Sequence, residues 1–101
     1  MPELEVCGIN EVPPGELKQF NVGKVELLVI NLNGKMLCLD ARCTHAGAPL
    51  EEGELIDSTL ICPWHGSRFN VNTGEVLKGP AEKPLRVYRT KIEEHTLIVE
   101  L

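Results

Sequence analysis

The chain has 101 residues, of which 43% are hydrophobic and 25% charged, a composition typical of one globular domain and of neither a disordered nor a membrane chain. No apolar run approaches the roughly 20 residues of a membrane helix, and no cationic segment precedes an apolar stretch at the N-terminus, so we expect no membrane span and no secretory signal. Fifteen acidic against ten basic residues give a net charge of −5, which argues against a nucleic-acid partner.

Short apolar runs separated by glycine and proline predict a mostly β fold. Strands are expected at 4–6, 17–20 and 25–30. Asn33 and Gly34 then predict a tight hairpin between 27–30 and 36–39, because a type I′ turn needs two residues with positive φ.

The C-terminal end of the sequence predicts a second hairpin, formed by strands at 85–92 and 97–101. Its turn covers 93–96 and contains His95, and histidine tolerates positive φ better than most residues. We therefore interpret His95 as a turn residue, and we expect this hairpin to join the same sheet as residues 1–40.

The segment 41–80 differs from both ends, because it contains two Cys/His pairs, several glycines and only short strand candidates at 59–61 and 67–71. We interpret the chain as a single domain, 1–101, with a base formed by 1–40 and 81–101 and a functional insertion at 41–80. Acidic residues in the insertion indicate a solvated face or a docking site for a basic partner: Glu51, Glu52, Glu54 and Asp57.

The two pairs are Cys43 with His45 and Cys62 with His65, separated by sixteen residues. Such pairs in a cytosolic protein favour a metal site over disulfides. A zinc site usually takes two ligands from one Cys-x2-Cys knuckle. Here each loop combines one thiolate with one imidazole, so two adjacent loops could give the cysteines to one iron and the histidines to another. A zinc-binding interaction module remains the alternative.

Residues 43–47 (CTHAG) and 62–67 (CPWHGS) together resemble the Rieske [2Fe–2S] motif. The resemblance implies an antiparallel β-sandwich or barrel base with an inserted cluster-binding subdomain. It also implies one [2Fe–2S] cluster, with Cys43 and Cys62 on the inner iron and with His45 and His65 on the outer iron near the surface.

The same resemblance implies roles for residues around the ligands. High-potential Rieske proteins join their loops by a disulfide, but Ala48 and Trp64 stand at those places here. Ser67 matches a serine that donates a hydrogen bond to a cluster sulfur, whereas Phe69 replaces a tyrosine donor. Trp64 would shield the cluster or fill the space of the absent disulfide, and Pro80 would belong to a third loop covering the cluster. Fewer donors predict a potential toward the low end of the roughly −150 to +300 mV Rieske range.

Cys7 and Cys38 remain outside the motif. Cys38 lies in a predicted strand and is interpreted as a small buried apolar residue. Cys7 follows Glu3 and Glu5 on the face opposite Leu4, which predicts half burial. A Cys7–Cys38 disulfide is disfavoured in a reducing cytosol.

The sequence therefore predicts a cytoplasmic, monomeric ferredoxin that carries one electron between a reductase and a terminal oxygenase or other redox enzyme. An oxygenase needs a further iron held by two histidines and a carboxylate, and only His95 is left for it. The alternative function is the small Rieske subunit of an oxidoreductase complex of the nitrite-reductase type.

Overall fold

The computed structural model describes residues 3–64 and 66–100, and within them the secondary structure is ten β-strands and two single 3-10 turns. This confirms the predicted all-β class. The larger sheet is antiparallel, has the order β1-β10-β9-β4-β3-β2, and nearly closes because β1 and β2 lie next to each other. Its strands are β1 (Glu3–Gly8), β2 (Leu17–Val22), β3 (Val25–Leu32), β4 (Lys35–Asp40), β9 (Val87–Glu93) and β10 (Thr96–Glu100).

The segment between β4 and β9 forms a separate antiparallel sheet of four short strands in sequential order. Two of its strands, β5 and β8, were not predicted, and the 67–71 candidate shortens to three residues because Ser67 belongs to the preceding loop and Val71 to a turn. The strands are β5 (Glu54–Ile56), β6 (Thr59–Ile61), β7 (Arg68–Asn70) and β8 (Val76–Lys78).

The continuous apolar run of β3 is explained by burial on both of its faces. Leu28 and Ile30 belong to a core shared with Leu60 and Phe69 of the smaller sheet. The alternate side chains, including Leu27, pack into a second core within the larger sheet. One core therefore joins the two sheets, and it fixes the smaller sheet against the larger.

Both predicted hairpin turns are confirmed by their backbone angles. Asn33 and Gly34 have φ of 54° and 96°, and Glu94 and His95 have φ of 48° and 67°. The His95 carbonyl also accepts a hydrogen bond from the Ile9 amide at 2.9 Å, so this turn is tied to the segment after β1.

The predicted half burial of Cys7 is wrong, because its side chain is only 8% exposed. A register shift between Glu5 and Cys7 interrupts the pairing of β1 with β10. A bulge adds one residue to a strand and so changes the face on which later side chains lie. Cys7 therefore packs into the second core together with the fully buried Cys38.

β9 begins at Val87 rather than at 85, and Leu101, predicted to end the last strand, lies outside the described residues. No helix in the described part of the chain is long and apolar enough to cross a membrane.

Candidate metal centre

The two predicted ligand loops share one backbone geometry. In each, the cysteine amide donates to the carbonyl five residues later: Cys43 to Ala48 at 3.0 Å and Cys62 to Ser67 at 2.8 Å. Each cysteine carbonyl in turn accepts from a glycine four residues later, Gly47 at 2.9 Å and Gly66 at 3.3 Å. The glycines have φ of 71° and 74°, a left-handed conformation that other residues adopt only with strain. The loops are therefore closed, matched turns.

Cys43 and Cys62 are both buried in the core that the two sheets share, and the Cys62 thiol lies near enough to act on the pKa of the Cys43 thiol. Burial raises the pKa of the Cys43 thiol. The His45 amide lowers that pKa, the Cys62 thiol raises it, and the Ala46 amide lowers it. The two amides point at the sulfur and favour the thiolate, but burial opposes any uncompensated charge. A bound metal cation would supply the compensating charge, because a coordinating thiol is deprotonated. The site is thus suited to a thiolate-bound metal.

His45 extends this site toward the surface. His45 is exposed at the tip of the first loop. His65, the other predicted imidazole ligand, lies outside the described residues. Among the residues that are described, no three His, Cys, Asp or Glu side chains lie close enough together to hold a metal ion. The complete ligand set stays a prediction, whereas the paired thiols are a direct feature of the structure.

A third loop, between β8 and β9, connects the two ligand loops. The fully buried Ser67 hydroxyl oxygen accepts a hydrogen bond from the Ala81 amide at 3.0 Å. Two residues further along, the Lys83 carbonyl accepts a hydrogen bond from the Thr44 hydroxyl at 2.6 Å. The third loop therefore contacts one residue of each ligand loop, Thr44 in the first and Ser67 in the second, and it holds the two loops together without a covalent link.

The other residues predicted to surround the cluster occupy contrasting environments. Phe69 is fully buried in the core between the sheets, so its ring packs against apolar side chains. Trp64 is 58% exposed at the tip of the second loop. Pro80 is exposed in the third loop, after a cis peptide bond from Gly79. Their roles toward the cluster stay predictions.

Sequence reasoning gave no structural role to several residues that build the centre, although Gly47 and Gly66 stand within the two motifs. The spacing of Gly47 and Gly66, each four residues after a cysteine, was a visible signal for two equivalent turns. Thr44 had no such signal, because its partner is 39 residues away. A fourth example is Gly74, with φ of 80°, where an added Cβ would overlap the Leu85 carbonyl oxygen.

Comparison with known proteins agrees with this geometry. The family model of the Rieske [2Fe-2S] domain matches residues 3–89. The ferredoxin component of biphenyl 2,3-dioxygenase from Rhodococcus jostii (strain RHA1) is 34% identical over 101 residues, covering 100% of this chain and 94% of that protein. Apoptosis-inducing factor 3 from Homo sapiens is 33% identical over 97 residues, but the chain spans only 16% of its length.

A solved structure gives the same result for the fold. The Sphingomonas yanoikuyae B1 ferredoxin superposes with a TM-score of 0.93 at 29% sequence identity, covering 99% of both chains. The ferredoxin-containing complex of carbazole 1,9a-dioxygenase matches with a TM-score of 0.88 at 34% identity, over 96% of this chain and 91% of that one. With two matched loops, paired buried thiols and a family match over residues 3–89, the chain belongs to the Rieske [2Fe–2S] domain family and has a [2Fe–2S] cluster as its cofactor.

Proposed function

We propose that the chain is an electron carrier that takes one electron from a reductase and passes it to a terminal oxygenase or another redox enzyme. The observation that carries this proposal is the pair of matched loops, which place two buried cysteines in one core while His45 stays exposed. The bound [2Fe–2S] cluster supplies one-electron redox chemistry.

The residues of the centre have separate tasks in this proposal. Cys43 and Cys62, which are buried, would hold one iron, and His45 and His65 would hold the other. Imidazole is neutral where thiolate is anionic, so this ligand set raises the potential above that of an all-cysteine cluster. Because His45 is exposed, the histidine edge is the side at which electrons enter and leave.

The nearly full-length match to ferredoxin components of dioxygenases supports a separate carrier protein and supports a reductase and an oxygenase as its partners. A second iron site is not supported, because the one histidine outside the ligand loops, His95, serves a hairpin turn. The core shared by the two sheets supports a single domain with its insertion at 41–80. Cys7 and Cys38, which form no disulfide, support a reducing compartment, and we assign the protein to the cytoplasm.

The test is anaerobic reconstitution of the full chain with iron and sulfide, followed by metal and acid-labile sulfide analysis, a visible spectrum and voltammetry. We expect a red-brown protein with two irons and two sulfides that is reduced reversibly by one electron. His45→Asn should lose the cluster. His95→Asn, the matched control, should keep it, because asparagine also tolerates positive φ.

Other outcomes would contradict the proposal. A colourless protein holding one zinc ion would identify an interaction module instead. Purification from its native source only as a stoichiometric complex, with no reversible reduction of the isolated chain, would favour the subunit of a larger oxidoreductase.

A further inference from the structure

Beside the metal centre, the charge on the solvent face of the smaller sheet changes from negative at the β5 edge to positive at the β8 edge. At the end of the sheet nearest the ligand loops, paired residues of β5, β6, β7 and β8 form one row across the strands: Glu54, Ile61, Arg68 and Lys78. Adjacent strands lie about 4.8 Å apart, so the backbone of Glu54 lies roughly 10 Å from that of Arg68 and further from that of Lys78. The β7–β8 side of the row is therefore locally positive.

This positive pair is unusual in an acidic chain. Arg68 and Lys78 are exposed cross-strand partners, and like charges directly opposite each other destabilise a sheet. Acidic side chains outnumber basic ones by fifteen to ten. Nevertheless, none of the ion pairs between described residues includes either cation. Neither exposed cation is therefore neutralised by an ion pair within the described part of the chain.

Exposed apolar side chains accompany the cations. Leu77 is 52% exposed and is the extra residue at a register shift between β7 and β8. Trp64 is 58% exposed in the neighbouring ligand loop, which ends one residue before Arg68. Bulges next to functional sites redirect side chains, and apolar groups rimmed by charges are the composition of protein interfaces.

We propose that Trp64, Arg68, Leu77 and Lys78 form a docking surface, the basic flank, for a redox partner that presents an acidic patch. This inference rests on the proposed electron-carrier function and names the chemistry of one partner. Docking here brings an acidic protein against the loop that carries His65. Glu54 at the other edge repels the same acidic patch, so the partner binds in one orientation.

The test measures electron transfer from the reduced, cluster-loaded protein to cytochrome b5, used as an acidic protein probe, by stopped-flow at low and high salt. The variant is Arg68→Gln/Lys78→Gln. The matched control is Lys18→Gln/Lys35→Gln, which removes two exposed lysines from the larger sheet and changes the net charge equally. An unchanged visible spectrum shows that each variant is folded and loaded.

We expect the basic-flank variant to react about tenfold more slowly at low salt and to lose most of its salt dependence, since interface charges act chiefly on association. The control should change by less than about twofold. Each single variant, Arg68→Gln or Lys78→Gln, should slow the reaction about threefold.

Three results would overturn the docking surface. Equal slowing of both double variants would show that the rate depends on net charge and not on the position of the two cations. An unchanged rate in the basic-flank variant would show that Arg68 and Lys78 take no part in docking. If that variant also aggregated, Lys78 would instead serve to protect the β8 edge from pairing with another chain. Failure of the electron-carrier proposal looks different, because the wild-type protein would then reduce neither cytochrome b5 nor ferricyanide.

Discussion

Replacing Ser67 by alanine tests how the second ligand loop is held and tuned. The hydroxyl oxygen is fully buried and accepts the Ala81 amide at 3.0 Å. Ser67→Ala leaves that buried N–H without an acceptor, which costs about 1–3 kcal/mol. In a domain of this size each kcal/mol lowers the midpoint of thermal unfolding by about 4–8 °C. We expect a decrease of about 10 °C.

The same substitution should lower the reduction potential. Because the Ala81 amide occupies a lone pair of the Ser67 oxygen, the hydroxyl proton is available to donate elsewhere, and a cluster sulfur is the acceptor we expect. Hydrogen bonds to sulfur stabilise the more negative, reduced state. A difference of about 1.4 kcal/mol between the two redox states corresponds to about 59 mV for one electron. Voltammetry should therefore show a downward shift of this order.

Ser58→Ala is the matched control, because Ser58 is half-buried at the turn before β6, at the far end of the same sheet. It should leave both the potential and the unfolding midpoint nearly unchanged. If Ser67→Ala lowers the unfolding midpoint but not the potential, the hydroxyl serves the Ala81 amide alone. If neither quantity changes, the reasoning from the buried hydrogen bond is refuted.

Three further predictions concern the backbone, the loop contact and a buried thiol. Gly74→Ala should lower the free energy of unfolding in urea by about 4 kcal/mol, because the added Cβ would overlap the Leu85 carbonyl oxygen at a residue with φ of 80°. Gly23→Ala is the control: Gly23 has φ of 61° but open space around it, so the loss should be only about 1–2 kcal/mol. Thr44→Val removes the donor to the third loop, so loss of iron to a chelator should be about fivefold faster; Thr90→Val, a similar change in the larger sheet, should leave that rate unchanged. Burial raises the pKa of Cys38 from 9.0 to about 12, so between these values the unfolded chain loses a proton that the folded chain keeps, and stability falls as pH rises. Cys38→Ala should flatten that alkaline slope in urea titrations, and an equal slope in both proteins would contradict the assignment.

The sequence by itself determined the features that depend on a few neighbouring residues. Asn33 with Gly34 specified a turn, because positive φ is a local property of the residues involved. His95 was identified as a turn residue on the same principle. The two Cys/His pairs indicated the cofactor, since the ligand types and their spacing within each loop are written in the chain. The all-β class followed from the same short-range pattern of apolar runs and breakers.

Only the tertiary structure decided what depends on distant residues or on an interrupted register. Cys7 was assigned to the wrong face because strict alternation fails where β1 contains a bulge. The contacts of the third loop with Thr44 and Ser67 join residues 39 and 14 positions apart, a pairing for which local sequence carries no signal. Likewise, Arg68 and Lys78 became neighbours only through the strand register, since cross-strand pairing is a property of the folded sheet and not of either strand alone.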